Sequence, residues 1–164
     1  MSERMFIGFV RTRVCRCLFI CSILAAFVAV GSGLAQTPAA SPEMDATNTE
    51  RVALGQKVYA SFCAGCHGEN LQGQSNWQRR LPLGNFPAPP HDDSGHAWHH
   101  ADQWLFETVK FGGQHHAPSR YRSAMPPYKD MLSDVEIWAV LSFIKSRWPP
   151  ATQREQARRN KPDR

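Results

Sequence analysis

The apolar positions of the chain fall into one long run and three helical stretches. The run, Leu18 to Leu34, contains no charged residue. It is short of the roughly 20 apolar residues that a bilayer span needs. It follows a segment with Arg4, Arg11, Arg13 and Arg16 against Glu3, and it ends in Gly33-Leu34-Ala35. Small residues three and one positions before the Ala35–Gln36 bond complete a secretory signal peptide, predicted over residues 1–35. The alternative is an uncleaved anchor, because residues 17–35, tilted, just span a thin membrane. Residues 36–48, rich in Ala, Pro, Thr and Ser, read as a flexible lead-in. From Thr49 to Ala60 the pattern is helical, and Gly55 and Tyr59, four apart, share a face. Asp102 to Phe111 is a second helix. It carries Trp104, Leu105, Thr108 and Val109 on one side, and Gly112-Gly113 ends it. The third is marked best. Ser133 and Glu136 form a capping box, and Ile137, Trp138, Val140, Leu141 and Ile144 give a broad apolar face. Trp148-Pro149-Pro150 closes it.

Between these stretches, residues 68–95 and 114–132 read as loops broken by Gly and Pro, with no internal repeat and no long β run. The pattern therefore predicts an all-α protein of three to four short helices and long loops. That is a thin core for about 100 ordered residues. Long loops in a compact domain point to something other than the chain filling the interior.

Composition narrows this further. The length of 164 residues fits one domain with appendages, and five Trp, nine Phe and three Tyr exclude a wholly disordered chain. The formal charge of +5 invites a nucleic-acid reading. Removing the four arginines and one glutamate of residues 1–35 leaves 15 cations against 13 acids. Five cations and two acids of that remainder lie after Pro150, so the body from 36 to 150 stands at −1. No basic face remains for nucleic acid, and residues 149–164 read as a basic, disordered tail. Cys15, Cys17 and Cys21 leave with the signal, so only Cys63 and Cys66 remain.

Those two cysteines stand in Cys63-Ala64-Gly65-Cys66-His67, the C-x-x-C-H attachment motif for c-type haem. Two thiols about one helical turn apart each add to one vinyl group, and the next residue, His67, lies under the iron as proximal ligand. A zinc site would need four ligands, usually from a second pair. A thioredoxin-like dithiol would need a βαβ context that the pattern lacks. A secretory signal fits haem attachment outside the cytoplasm. For the distal ligand, Met125 in Met125-Pro126-Pro127 is the leading candidate, because a thioether is a soft ligand that raises the potential. Met131 competes but sits where an apolar staple residue is expected before the Ser133 cap. A histidine in the distal position, or an open sixth site, is also compatible with the sequence.

Taken together, these residues resemble a class I c-type cytochrome of the bacterial single-haem type, over roughly Thr49 to Trp148. The resemblance rests on Gly55 and Tyr59, on Cys63 to Gly68, on Met125-Pro126, and on Leu132-Ser133 with Glu136, Ile137 and Phe143. It implies a small cytochrome c fold with one covalent haem c. It also implies that the first and last helices cross, with Gly55 and Tyr59 against Phe143, and that a proline carbonyl accepts the His67 ring N–H. Pro82, Pro87 and Pro89 are all candidates for that carbonyl. The long, His- and Pro-rich 70–100 segment departs from the plain family pattern.

His91, His96, His99, His100, His115 and His116 crowd 26 residues. Either one or two of them order the loop, meet a haem propionate or cap the helix at Asp102 while the rest are solvated, or they form a second copper or zinc site or a docking patch for a copper protein. Trp77, Trp98, Tyr121, Tyr128 and Trp138 are expected mostly as haem-pocket walls, and Arg120 and Arg122 as propionate partners or solvated cations. The expected function is exported, periplasmic, single-electron transfer between redox partner proteins, with transient docking on a membrane complex. Both axial positions would be filled, so no substrate reaches iron and no catalysis is expected. Competing readings are an electron-entry subunit of a larger oxidoreductase, a haem-based sensor, and a copper-handling protein using residues 91–116.

Overall fold

A computed structural model describes residues 43–161. The predicted signal peptide and all but the last residues of the lead-in lie outside the described residues. Among the described residues there are helices and loops, one isolated bridge between Asn85 and Arg122, and no strand. The fold is all-α, as the pattern predicts.

The first helix, α1 (Thr49–Val58), starts at Asn48, whose side chain accepts from Arg51 N. It does not stop at Ala60. It widens into a π turn over Tyr59–Cys63 and resumes as α2 (Ala64–His67), so the whole C-x-x-C-H motif rides on the end of one helical segment. Such widened turns concentrate at functional sites. The second predicted helix is α3 (Asp102–Phe111), preceded by a 3-10 turn at Ala97–His99. The third is α4 (Asp134–Ser146), with the capping box formed in both directions between Ser133 and Glu136.

α4 is the centre of the core. Every residue from Ile137 to Ile144 is buried, and Ile137 and Ala139 are wholly so. A Cβ added to Gly55 on α1 would collide with the Ala139 carbonyl and lie 2.8 Å from the Phe143 Cβ. Only glycine allows that approach. Next to it the Tyr59 and Phe143 rings meet at 5.4 Å. This is the Gly55–Tyr59–Phe143 pairing that the resemblance implies. On the other side α3 docks through Phe106, stacked on Trp138 at 4.5 Å. Trp138 is thus a core residue rather than a wall of the cavity described below.

Two ends differ from expectation. Residues 149–164 are not a disordered tail over their described part. Pro150–Arg159 forms α5, with Pro150 at the first turn, where a proline's missing N–H costs nothing. The same prolines that end α4 therefore begin α5. Two residues anchor it, and Asn160 at its C-terminal end accepts from Asp102 N–H at 2.8 Å. Gln156 is fully buried and donates to the Asp102 carboxylate at 2.6 Å and to the His100 carbonyl at 3.1 Å. The lead-in is also pinned where it is described. Met44 is buried, its N–H donates to Asp102 at 2.8 Å, and Asp45 N–H donates to Ser142 Oγ at 3.0 Å. Asp102 thus gathers the N-terminal stretch of chain, α3 and α5 around one buried carboxylate. A buried polar group costs free energy unless it is hydrogen-bonded, as this one is.

Candidate functional site

The helical half leaves one large cavity against the loops, of about 820 Å³. Cys63, Cys66, His67, Pro89, Met125 and Tyr128 all line it. The volume is at the upper end for a ligand site. The sequence-predicted site residues therefore share one enclosure.

His67 ends α2, nine-tenths buried. Its Nδ1 lies 2.8 Å from the Pro89 carbonyl. A carbonyl only accepts, so Nδ1 carries the proton and Nε2 keeps a free lone pair. Burial also pushes the imidazole below its ordinary pKa, against the pull of the Pro89 bond. His67 is thus a neutral ring whose Nε2 lone pair is available. Of the three candidate prolines, Pro89 is the one that bonds it.

Five hydrogen bonds and one close packing contact hold the backbone on either side of that carbonyl, and sequence reading missed them. Gly73 N–H donates to the His67 carbonyl at 2.7 Å, and a Cβ on Gly73 would overlap the Pro89–Pro90 peptide. Gln74 and Ala88 exchange two bonds, at 2.9 and 3.0 Å. Leu71, held in the left-handed region at φ +64°, accepts from His91 N–H at 2.7 Å. Trp148 Nε1 donates to the His91 carbonyl at 2.8 Å. The only signal in the sequence was Gly73 itself. A partner of a backbone carbonyl leaves no pattern.

Cys63 and Cys66 are free thiols on this segment. Burial, and then the neighbouring Cys66, push the Cys63 thiol up to about 11, so it stays protonated near neutrality. A neutral thioether at this position would carry no such ionisation cost.

Met125 is partly buried in the same enclosure, on a loop tied to α3. Gly113 N–H donates to the Met125 carbonyl at 3.2 Å, Met125 N–H to Ser123 Oγ at 3.2 Å, and Ser123 N–H to Gln114 Oε1 at 3.1 Å. Tyr128 closes the loop, donating its hydroxyl to the Phe62 carbonyl at 3.0 Å. Met131 is 53% exposed and does not line the cavity.

Of the other aromatic candidates, Trp77, Tyr121 and Tyr128 line the cavity, and Trp98 does not. Trp98 packs on His99 at 3.6 Å and donates to the Gly95 carbonyl at 3.2 Å. Arg120 and Arg122 are exposed and outside the lining. The six histidines do not converge on one point. His91 stacks on His67 at 3.7 Å, His96 on Trp77 at 5.8 Å, and His100 on Trp104 at 3.7 Å. Burial, with His96, His99, His116 and Arg159 nearby, brings His100 down to about 4, so it is neutral at pH 7. His115 and His116 lie instead beside Glu107.

The residues present suit a large, flat, mostly apolar group with polar substituents. They provide two thiols, a tautomer-locked imidazole, a thioether and an apolar wall. The His91 Nδ1, in the same lining, is enclosed and has no partner. No helix among the described residues is long and apolar enough to cross a membrane.

Comparison with known proteins agrees with the cavity. The family model for cytochrome c matches residues 52–148. Among solved structures, cytochrome CL from the marine methylotrophic bacterium Methylophaga aminisulfidivorans is similar at 23% identity and a TM-score of 0.42. The match covers 67% of this chain and 63%, less than two thirds, of that one. No curated protein matches.

Proposed function

The chain belongs to the cytochrome c family, and from that premise we propose that it is an exported one-electron carrier. Its single haem c is held by Cys63 and Cys66 and ligated by His67 and Met125. The family carries covalently bound haem c on a small all-α fold and passes electrons to redox partner proteins. The ligand set, the export and the absence of catalysis are this proposal's own.

One observation carries it: the Nδ1–Pro89 bond fixes the His67 tautomer inside the cavity that both cysteines and Met125 line. A hydrogen-bonded histidine of this kind is the usual support for a metal ligand, because it fixes the ring and raises its basicity. When bound, haem iron supplies a ferric–ferrous couple whose potential the axial ligands tune. The chain does the rest. Cys63 and Cys66, on one helical segment, hold the group irreversibly. Pro89, Gly73 and Trp148 keep His67 from rotating. Gly113 and Ser123 hold Met125 by its backbone while its soft thioether favours the ferrous state. The mostly apolar lining would shield the group in part from water, which limits reorganisation when the charge changes. With His67 and Met125 both holding the iron, no position on it would remain for a substrate. The basic and apolar pattern of residues 1–35 supports export to the periplasm.

The test is the far-red band that marks a methionine sulfur on ferric haem. It is expected in the protein as exported and in Met131→Ala, and absent in Met125→Ala. Persistence of the band in Met125→Ala would overturn the ligand assignment. Rapid carbon monoxide binding by the untreated ferrous protein would favour a sensor instead.

A further inference from the structure

Among the described residues, and outside the large cavity's chemistry, one cluster has the donor set of a metal site. Glu107 on α3 and His115 and His116 in the turn after it each present one ligand atom, and the three atoms lie within 4.8 Å of one another. The two Nε2 atoms lie 3.9 and 3.1 Å from the same carboxylate oxygen, Glu107 Oε2. The closer of the two is unusual. His116 Nε2 is enclosed, yet the contact does not have hydrogen-bond geometry, so the nitrogen has no hydrogen-bond partner. A nitrogen and a carboxylate oxygen held together without a proton aligned between them share a space that suits a cation.

Each of the three side chains is also supported from behind. Glu107 Oε1 accepts from Gln103 Nε2 at 2.8 Å, which leaves Oε2 to face the imidazoles. The Phe111 ring packs on His115 at 4.9 Å, and Trp104 stacks on His116 at 4.8 Å. The backbone is set by turns, with His115 N–H on the Gly112 carbonyl at 3.0 Å and Ala117 N–H on the Gln114 carbonyl at 3.2 Å. The side chains of His115, His116 and Glu107 are 40%, 23% and 30% exposed, so an ion can enter and keep water in its remaining positions.

We propose that Glu107, His115 and His116 form a second metal site, for a divalent first-row ion of the zinc or copper class, separate from the haem iron. Two imidazoles and one carboxylate suit both ions, and three protein ligands with an open position are a familiar zinc arrangement. Closing the present spacing around an ion needs only side-chain adjustment. The site also bears on the large cavity. His116 is part of its lining, and the same turn holds the Met125 carbonyl through Gly113 N–H. A bound ion would therefore clamp the turn that steadies Met125.

Titration calorimetry of the haem-loaded protein with zinc chloride, with iron quantified separately, tests this. One zinc per chain is expected. Glu107→Gln, a near-isosteric change at a partly exposed position, should abolish or severely weaken binding, as should His116→Ala. Gln103→Ala, which removes only support, should weaken it by about 10–100-fold. His99→Ala should leave it unchanged. The far-ultraviolet circular dichroism of each variant checks the fold. No zinc uptake would overturn the proposal and leave a histidine–glutamate contact only. Uptake that survives Glu107→Gln but disappears in His99→Ala would also overturn it. Neither result touches the haem reading, whose readouts are haem spectra.

Discussion

The two halves of this molecule are held together by different means. In the helical half, α1, α3 and α4 meet through apolar side chains, with Ile137, Ala139 and Val140 at most 1% exposed and Gly55 pressed on the Ala139 carbonyl. In the loop half, residues 68–100 and 112–132 are held by scattered hydrogen bonds, many of them backbone to backbone and others to side chains such as Gln74, Gln114 and Ser123, around a cavity of about 820 Å³. The first half is a core in its own right. The second is a wall around a guest. Burial of apolar surface stabilises one, while the other has polar contacts worth about 1 kcal/mol each. A cofactor that fills the cavity joins the two into one cooperative unit.

That contrast can be broken most strongly at α4. Ile137→Ala removes a wholly buried side chain and should cost about 2–5 kcal/mol of global stability by denaturant unfolding. A smaller loss would mean that the helical half is looser than its burial implies. Next is Gln156→Ala, which takes a donor from buried Asp102 and should cost about 1.5–3 kcal/mol. It would also speed amide exchange in α5. No change would show that α5 merely rests on the surface. In the loop half, Gln74→Ala removes a bond that returns to Ala88 and should cost about 0.5–1.5 kcal/mol locally. Its signature is faster exchange at Ala88 with the α4 amides unchanged. Equal acceleration in both halves would contradict the division.

The smallest effect is in pH dependence. Hydrogen bonds from the Ser133 side chain, and then its backbone, hold the exposed Glu136 carboxyl below its ordinary value. A depressed folded pKa gives stability that is complete at neutral pH and lost as pH falls through the folded value. At this exposed position that share should stay below about 1 kcal/mol. Ser133→Ala should flatten the acid limb of the stability curve by that amount, measured by thermal unfolding between neutral and acid pH.

The same division separates what was legible in the sequence from what was not. The α4 capping box and apolar face and the C-x-x-C-H segment could be read, because each depends on residues at fixed short spacing, whereas the Gly55–Tyr59–Phe143 contact followed only from the family resemblance. α5 could not. Its sequence is polar, and its anchors are Gln156 and Asn160, reaching Asp102 54 and 58 positions earlier. The choice among Pro82, Pro87 and Pro89 was equally closed, since all three offer the same carbonyl and only Leu71, Gly73, Gln74 and Trp148 select one. Glu107 was missed for a related reason. The histidines drew attention to themselves, while their carboxylate partner sits one helix back among ordinary surface residues.

The central claim is that Cys63 and Cys66 hold one covalent haem that completes the loop half. A pyridine haemochrome spectrum of the exported protein, after acid–acetone extraction to remove any non-covalent haem, tests it most directly. The account predicts the spectrum of haem joined by two thioether bonds, at one haem per chain, and its loss when both cysteines are replaced by alanine. Haem that extracts freely from the unaltered protein, or no haem at all, would contradict it.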